Sequence, residues 1–220
     1  MPPEYDGLTF TRPGHATVRI QSDDLFAYVD PWSDVVDGRP ADADLVFVTH
    51  DDYDHYDPDG IEAVSTPETT VVVYEGVDAT DLDRDVRSLA ADEEFTVEGV
   101  TARAVPAYND PEGEHVREPG VPYHAEGEGI GLLFDFDGAT ILVPSDTDFL
   151  PVHRELSAAV VLPPIGGTYT MDRREAADLA AAVGASLVLP VHYDTFEAIE
   201  TDAEAFVEDV RARGMDAVLF

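Results

Sequence analysis

Between Thr49 and Pro58 the sequence reads His50-Asp51-Asp52-Tyr53-Asp54-His55-Tyr56-Asp57, two imidazoles and four carboxylates in one short segment of a chain with only seven histidines. Such a density invites a cation. On an irregular turn, offsets of two, four and five residues from His50 send His50 and Asp52 to one side and Asp54 and His55 to the other, enough donors for two adjacent metal ions. The plainer alternative is a solvated acidic turn in an Asp-rich chain. Cysteine is absent, which excludes a disulfide scaffold, a thiol nucleophile and every thiolate or iron-sulfur site. Any metal here must be held by His and carboxylate.

Four apolar runs end in a residue of metal-binding type: LFAYVD at Asp30, LVFVTH at His50, ILVPSD at Asp146 and LVLPVH at His192. Carboxyl ends of strands are where open α/β sheets place their sites. Asp30 is expected to orient an imidazole, because a ligating histidine needs a partner for its other ring N–H. Tyr193, beside His192, either packs or donates to a developing oxyanion. His15 is read as a buried, hydrogen-bonded histidine, His115 and His153 as surface residues. Gly166-Gly167 reads as a tight turn that could offer backbone N–H groups to an anion. Ser145 lies in P-S-D-T rather than G-x-S-x-G, and neither a phosphate loop nor a strand-GxGxxG-helix unit is present, so a serine hydrolase elbow and the common nucleotide folds are set aside.

The elements that must position these residues are mostly strands. Runs at 8–12, 16–20, 25–30, 44–49, 70–75, 95–99, 100–107, 129–136, 140–144 and 158–164 are short, apolar and bounded by turn residues, with Glu98-Gly99 and Asp137-Gly138 as tight turns. The Gly-, Pro- and charge-rich stretch 109–127 predicts a long loop. Two helices carry start and stop marks. One has Asp172 and Glu175 as a capping box and ends at Gly184; the other runs from Thr201 with Glu204 to Gly214. Strands 186–191 and 216–220 follow them. The expectation is one domain, 1–220, of the α/β class.

The order strand-Asp30, strand-THxDxDH (49–55), strand-PSDTD (144–148) and strand-PVHY (190–193) resembles the metallo-β-lactamase superfamily. The finer pattern of Gly14-His15-Ala16, AVPAYN (104–109), an IGLLF strand and IGGTYTMD (165–172) is similar to its ascorbate-6-phosphate lactonase-type branch. The resemblance implies an αββα sandwich, two mixed β-sheets packed face to face with helices outside. It also implies a hydrolase in which a metal-bound hydroxide attacks a small ester, lactone or phosphoester. His50 and Asp52 would hold one ion, completed by Asn109, Asp110 or His124. Asp54, His55 and His192 would hold the second, with Asp146 bridging. Asp54, Asp146 and Tyr193 would be the catalytic groups, and a metal-bound water, Tyr193 or His124 the source of the leaving-group proton. Zinc is the first expectation, as one or two ions, with manganese or iron as alternatives. Asp52 and Asn109 stand where the family usually has histidine, which motivates a second reading: a degenerate metal-binding sensor or interaction protein without hydrolase activity.

Charge bears on the solvent and the partners. Against 47 Asp+Glu the chain sets 12 Lys+Arg, all arginine, for a net charge of −35, yet 44% of residues are hydrophobic. That is not a disordered composition; it matches a halophile's, in which salt screens self-repulsion. A partner-binding acidic protein is the rival. No basic cluster offers a phosphate footprint, so nucleic acid is not an expected partner. With no apolar run long enough to span a bilayer and no leader-like start, the expectation is a cytoplasmic protein acting on a small molecule, its oligomeric state open.

Overall fold

Apolar runs separated by turn residues become strands in a computed structural model that describes every residue except Asp24. The chain divides into two compact units, Met1–Ala90 and Ala91–Phe220. Each is built on a seven-stranded mixed sheet.

In the first unit the strands are β1 (Glu4–Tyr5), β2 (Leu8–Gly14), β3 (Thr17–Gln21), β4 (Phe26–Val29), β5 (Ala43–Val48), β6 (Ser65–Tyr74) and β7 (Val86–Leu89), in that spatial order. Pairing is antiparallel from β1 to β4 and parallel from β4 to β7. Parallel strands read as continuous apolar runs rather than alternations, and Leu45 through Val48 and Val71 through Val73 are all buried. Because β4 and β5 run side by side in the same direction, Asp30 and the 49–55 turn emerge at the same end of the sheet.

Helix α1 (Pro58–Val64) was not expected. Asp57 caps it, accepting from Asp59 N, but Gly60 in its first turn argues against a helix by about 1 kcal/mol relative to Ala. The reason for the glycine is steric: a Cβ there would sit 2.1 Å from the Pro31 carbonyl oxygen. Strands β1 and β7 were also missed, although Asp6-Gly7, with φ of 48° and 81°, forms the left-handed pair of a tight hairpin.

In the second unit the order is β8 (Glu94–Val97), β9 (Val100–Ala107), β12 (Gly129–Phe136), β13 (Ala139–Val143), β14 (Val160–Val161), β15 (Leu187–Val188) and β16 (Asp216–Ala217). Again an antiparallel half, β8 to β13, gives way to a parallel half, β13 to β16. Both expected tight turns are present, Glu98-Gly99 and Asp137-Gly138, each with two positive φ values. The parallel strands are shorter than the apolar runs suggested. Pro163, Pro164 and Pro190 carry no N–H to donate to a ladder, and beyond Val161 and Val188 the regular ladder gives way to scattered backbone hydrogen bonds and an isolated bridge between Pro164 and Val191. The stretch 109–127 is not wholly a loop: β10 (Val116–Glu118) pairs with β11 (Val121–Pro122).

Helices α2 (Arg173–Ala182) and α3 (Ala203–Ala212) bury Ala176, Leu179, Phe206 and Val210 in one cluster with Leu142, Val161 and Val188. The capping box of Asp172 and Glu175 is formed as expected. The cap of α3 is Asp202, which accepts from Ala205 N, and not Thr201. Thr201 belongs to the preceding turn, where its N–H donates to Asp194 Oδ1. Asp146, the 164–167 turn and His192 follow the parallel strands β13, β14 and β15, so all three leave that sheet at one end. Among the described residues no helix is long and apolar enough to cross a membrane.

Candidate metal centre

In the first unit the donors are organised by Asp30. Its backbone is left-handed, with φ of 47°, and its carboxylate is buried. Oδ1 accepts from Thr49 N at 2.8 Å; Oδ2 accepts from Thr49 Oγ1 at 2.7 Å and from His55 Nδ1 at 2.8 Å. A carboxylate only accepts, so the single hydroxyl proton of Thr49 points at Asp30. Thr49 Oγ1 must then accept from His50 Nδ1, 3.0 Å away. One aspartate therefore fixes both tautomers, placing a proton on Nδ1 of each histidine and leaving Nε2 as the nitrogen that could ligate a metal. The two rings lie 4.0 Å apart by centroid.

Asp54 is held from the other side. His15 Nε2 lies 2.8 Å from Asp54 Oδ2, and the His15 ring rests edge-on against Trp32 at 5.3 Å. His15 is thus buried and hydrogen-bonded as expected, and the group it touches is a candidate ligand. His15, Asp54 and His55 each offer a donor atom within 4.8 Å of the others. Asp52 is looser: its side chain is 51% exposed and its Oδ2 is 3.7 Å from His50 Nε2.

In the second unit Asp146 takes the central place. Its Oδ2 is 3.1 Å from His192 Nε2 and 3.5 Å from His124 Nε2. His192 adopts a left-handed backbone, φ 53°, and its carbonyl oxygen is so near Gly166 that a Cβ there would approach to 2.7 Å. Gly167, with φ of 77°, makes the expected turn. Tyr193 is buried in the cluster that contains Met171 and Phe206. Asp110 is exposed, whereas Asn109 is fully buried.

Two histidines expected on the surface are buried. His153 donates from Nε2 to the Pro106 carbonyl at 2.8 Å and accepts from Leu150 N at Nδ1; burial pushes its pKa down. His115 Nδ1 lies 2.6 Å from Asp148 Oδ1. Burial opposes its protonation, but the hydrogen bond to Asp148 and the charges of Asp148 and Glu175 outweigh that and raise its pKa. Both were misread because local sequence shows neither the Pro106 carbonyl nor the Asp148 carboxylate that makes burial tolerable.

The donor sets fit a divalent metal: His50 and His55 with Nδ1 tied back, carboxylate oxygens, and no thiolate. Thr49 and Asp148 were missed as organising residues. A hydroxyl placed directly between a buried strand and His50 was the one available sign for Thr49; Asp148 had none beyond its place in PSDTD.

Strand-end loops carrying oriented imidazoles and carboxylates, on two mixed sheets, define the class of metal-dependent hydrolase folds, and comparison with known proteins narrows it. Residues 9–192 match the model of the Beta-lactamase superfamily domain. A UPF0173 metal-dependent hydrolase of Methanosphaerula palustris is 33% identical over 209 residues, covering 92% of this chain and 91% of that protein. A solved structure from Parabacteroides distasonis superposes with a TM-score of 0.81 at 25% identity, over 96% of this chain and 92% of the other. Igni18, a metallo hydrolase from Ignicoccus hospitalis, shares the fold with a TM-score of 0.76 at 22% identity, over 97% and 94%. The chain belongs to the metallo-β-lactamase superfamily, within its UPF0173 metal-dependent hydrolases.

Proposed function

We propose that the protein, acting as one domain over 1–220, hydrolyses a small ester, lactone or phosphoester with the help of one or two divalent ions. Zinc is the first choice and manganese or iron the alternatives, since an all-nitrogen and oxygen donor set suits each of them. The pattern Gly14-His15-Ala16, AVPAYN and IGGTYTMD favours the lactone end of that range, through its similarity to the ascorbate-6-phosphate lactonase-type hydrolases. A cytoplasmic setting and a small-molecule substrate accord with the charge and with the absence of a basic footprint.

The observation that carries the reading is the Asp30 anchor, which spends a buried carboxylate on turning two imidazole Nε2 atoms outward as acceptors. His50 and Asp52 are the ligands assigned to one ion, and Asp54, His55 and His192 to the other, with Asp146 shared. A bound metal supplies Lewis acidity and lowers the pKa of a coordinated water towards about 7. Asp54, steadied by the His15 N–H on Oδ2, is the carboxylate assigned to accept a proton from the attacking water. Tyr193 carries the hydroxyl assigned to the developing oxyanion.

The test is metal content by elemental mass spectrometry on protein prepared in molar KCl without chelators or a histidine tag. Wild type should carry one or two ions per chain, reduced in His50→Ala and His192→Ala, and a panel of esters, lactones and phosphoesters should show turnover that His55→Ala and Asp146→Ala abolish. The half-exposed Asp52 keeps the degenerate-sensor reading in play: one ion lost only with His192→Ala, and no turnover, would favour it. Turnover that survives both substitutions would refute the hydrolytic mechanism.

A further inference from the structure

Aromatic side chains in this chain are mostly withdrawn from water. Among the described residues, which include nine tyrosines, ten phenylalanines and one tryptophan, Tyr53 is the only exposed aromatic, at 68%. It stands at the apex of a turn, between Asp52 and Asp54. The Asp52 carbonyl accepts from His55 N at 2.9 Å and from Tyr56 N at 2.8 Å, which fixes the backbone on either side of it. The Tyr53 ring meets the buried Trp32 edge-on at 5.9 Å, and Trp32 meets His15 in the same way at 5.3 Å. Trp32 is itself anchored, its backbone N–H donating to Thr17 Oγ1 at 3.1 Å. Single exposed apolar side chains are ordinary on a protein surface, and Met1 at the chain end, Val86, Val121 and Val218 are of that kind. Tyr53 differs from them in place as well as in size: it is backed by a buried tryptophan and flanked by two candidate ligands.

We propose that Tyr53 is a specificity-determining residue, its ring packing against an apolar ring that the substrate carries next to the bond being hydrolysed. Tyrosine suits this task because it offers a broad apolar face with only two side-chain torsions to be fixed, and the edge contact with Trp32 restricts those torsions before any substrate arrives. Asp54, on one side, is turned inward and held by His15 Nε2 at 2.8 Å, whereas Asp52, on the other, is half-exposed. The group that Tyr53 recognises therefore lies beside the carboxylates and not at a remote subsite. Apolar contact also fits the charge of the chain. At the molar ionic strength that a net charge of −35 calls for, the Debye length is about 3 Å, so distant charges select a substrate poorly, while burial of apolar surface is not screened.

This inference rests on the hydrolytic reading, and the experiment separates the two. In molar KCl with added zinc, methyl phenylacetate, with its ring on the acyl side, and benzyl acetate, with its ring on the leaving side, are each compared with methyl acetate. Wild type should prefer at least one ring-bearing ester, and that ratio of kcat/KM values should fall about tenfold in Tyr53→Ala and return in Tyr53→Phe. A general disturbance of the turn lowers both rates and leaves the ratio unchanged. A second measurement needs no turnover: NMR of protein carrying isotope-labelled tyrosine, with the Tyr53 ring signals identified by their absence in Tyr53→Phe. Benzyl ethyl ketone or benzylacetone, the ketone counterparts of the two esters, should shift those signals at a concentration about tenfold below that needed for butanone. Ring-bearing ketones that act no more readily than butanone, or an ester preference that Tyr53→Ala keeps, would overturn this inference while turnover leaves the hydrolytic reading standing. Selective shifts at Tyr53 with no turnover of any ester, lactone or phosphoester would refute hydrolysis and still establish that Tyr53 binds an apolar ring.

Discussion

At the scale of single residues, the decisive feature is that carboxylates act on imidazoles by dictating where the proton sits. Asp30→Asn tests this with almost no change of volume. The amide oxygen can still accept from Thr49 N, but the new NH2 faces Thr49 Oγ1 and His55 Nδ1, so His55 is driven to carry its proton on Nε2. That tautomer has no lone pair for a metal. Chelator competition should show at least a tenfold loss of affinity with a melting temperature close to wild type, and unchanged affinity would show that Asp30 does not set the tautomer. His153 yields a prediction about pH. Burial holds its folded pKa below the ordinary value of 6.5, so the unfolded chain takes up the proton first. The neutral His153 therefore contributes stability that is complete above about 6.5 and is lost as pH falls through the depressed folded value. Melting temperature measured from pH 7.5 to 5.5 should fall more steeply for wild type than for His153→Gln; equal slopes would show that His153 is not held neutral. The candidate ligands His50, Asp54, His55, Asp146 and His192 were legible because each sits at or just past the end of an apolar run. His124 was legible only as one name among three, since the stretch 109–127 has no period to say where its side chains point. Its contact with Asn109, 3.0 Å from Nδ1 to Oδ1, is set by the fold and not by any local pattern.

At the scale of elements, strands declared themselves by composition, and helices with caps and glycine stops did so too. What stayed hidden were elements whose residues answer to tertiary neighbours. Gly60 denies α1 its local propensity in order to let the Pro31 carbonyl approach, and the ladders of β14 and β15 are cut short by prolines inside apolar runs. Gly166 is the same kind of residue. Read locally, Gly166-Gly167 is a turn, and for Gly167 that suffices. Gly166, by contrast, has no positive φ; its requirement is room, with the His192 carbonyl 2.7 Å and the Ile199 Cβ 2.9 Å from where a methyl group would stand. A backbone oxygen cannot rotate away as a side chain does. Gly166→Ala should therefore displace His192, costing about 1–3 kcal/mol in overpacking and lowering metal occupancy although no ligand has been changed. Guanidinium unfolding and elemental analysis in molar KCl would read both effects. Full occupancy at wild-type stability would mean that the 164–167 turn yields freely and does not hold His192 in place.

For the molecule as a whole, charge decides the conditions under which any of these parts can work. With 12 arginines against 47 carboxylates, pairing cannot neutralise the surface even if every cation is used. The pairs that form, such as Arg84 with Glu62, Arg213 with Asp178 and Arg173 with Asp209, are partly exposed and worth at most about 1 kcal/mol each. Roughly one net negative charge per six residues then has to be tolerated by screening. Raising ionic strength from 0.1 M to 1 M shortens the Debye length from about 10 Å to about 3 Å, which removes repulsion between all but adjacent carboxylates. The expected outcome is a melting temperature that climbs steeply with KCl up to about 1 M and nearly as steeply with NaCl, because screening depends on ionic strength and not on the ion. Above that range any further rise should depend on the salt, through exclusion from the protein surface. A profile that stays flat from 0.1 M to molar KCl would contradict the halophilic reading. A rise confined to potassium would replace screening with specific ion binding. The same dependence governs how the metal experiments are read: a site that looks empty in dilute buffer would report loosening of the chain by its own charge before it reported anything about His50, His124 or His192.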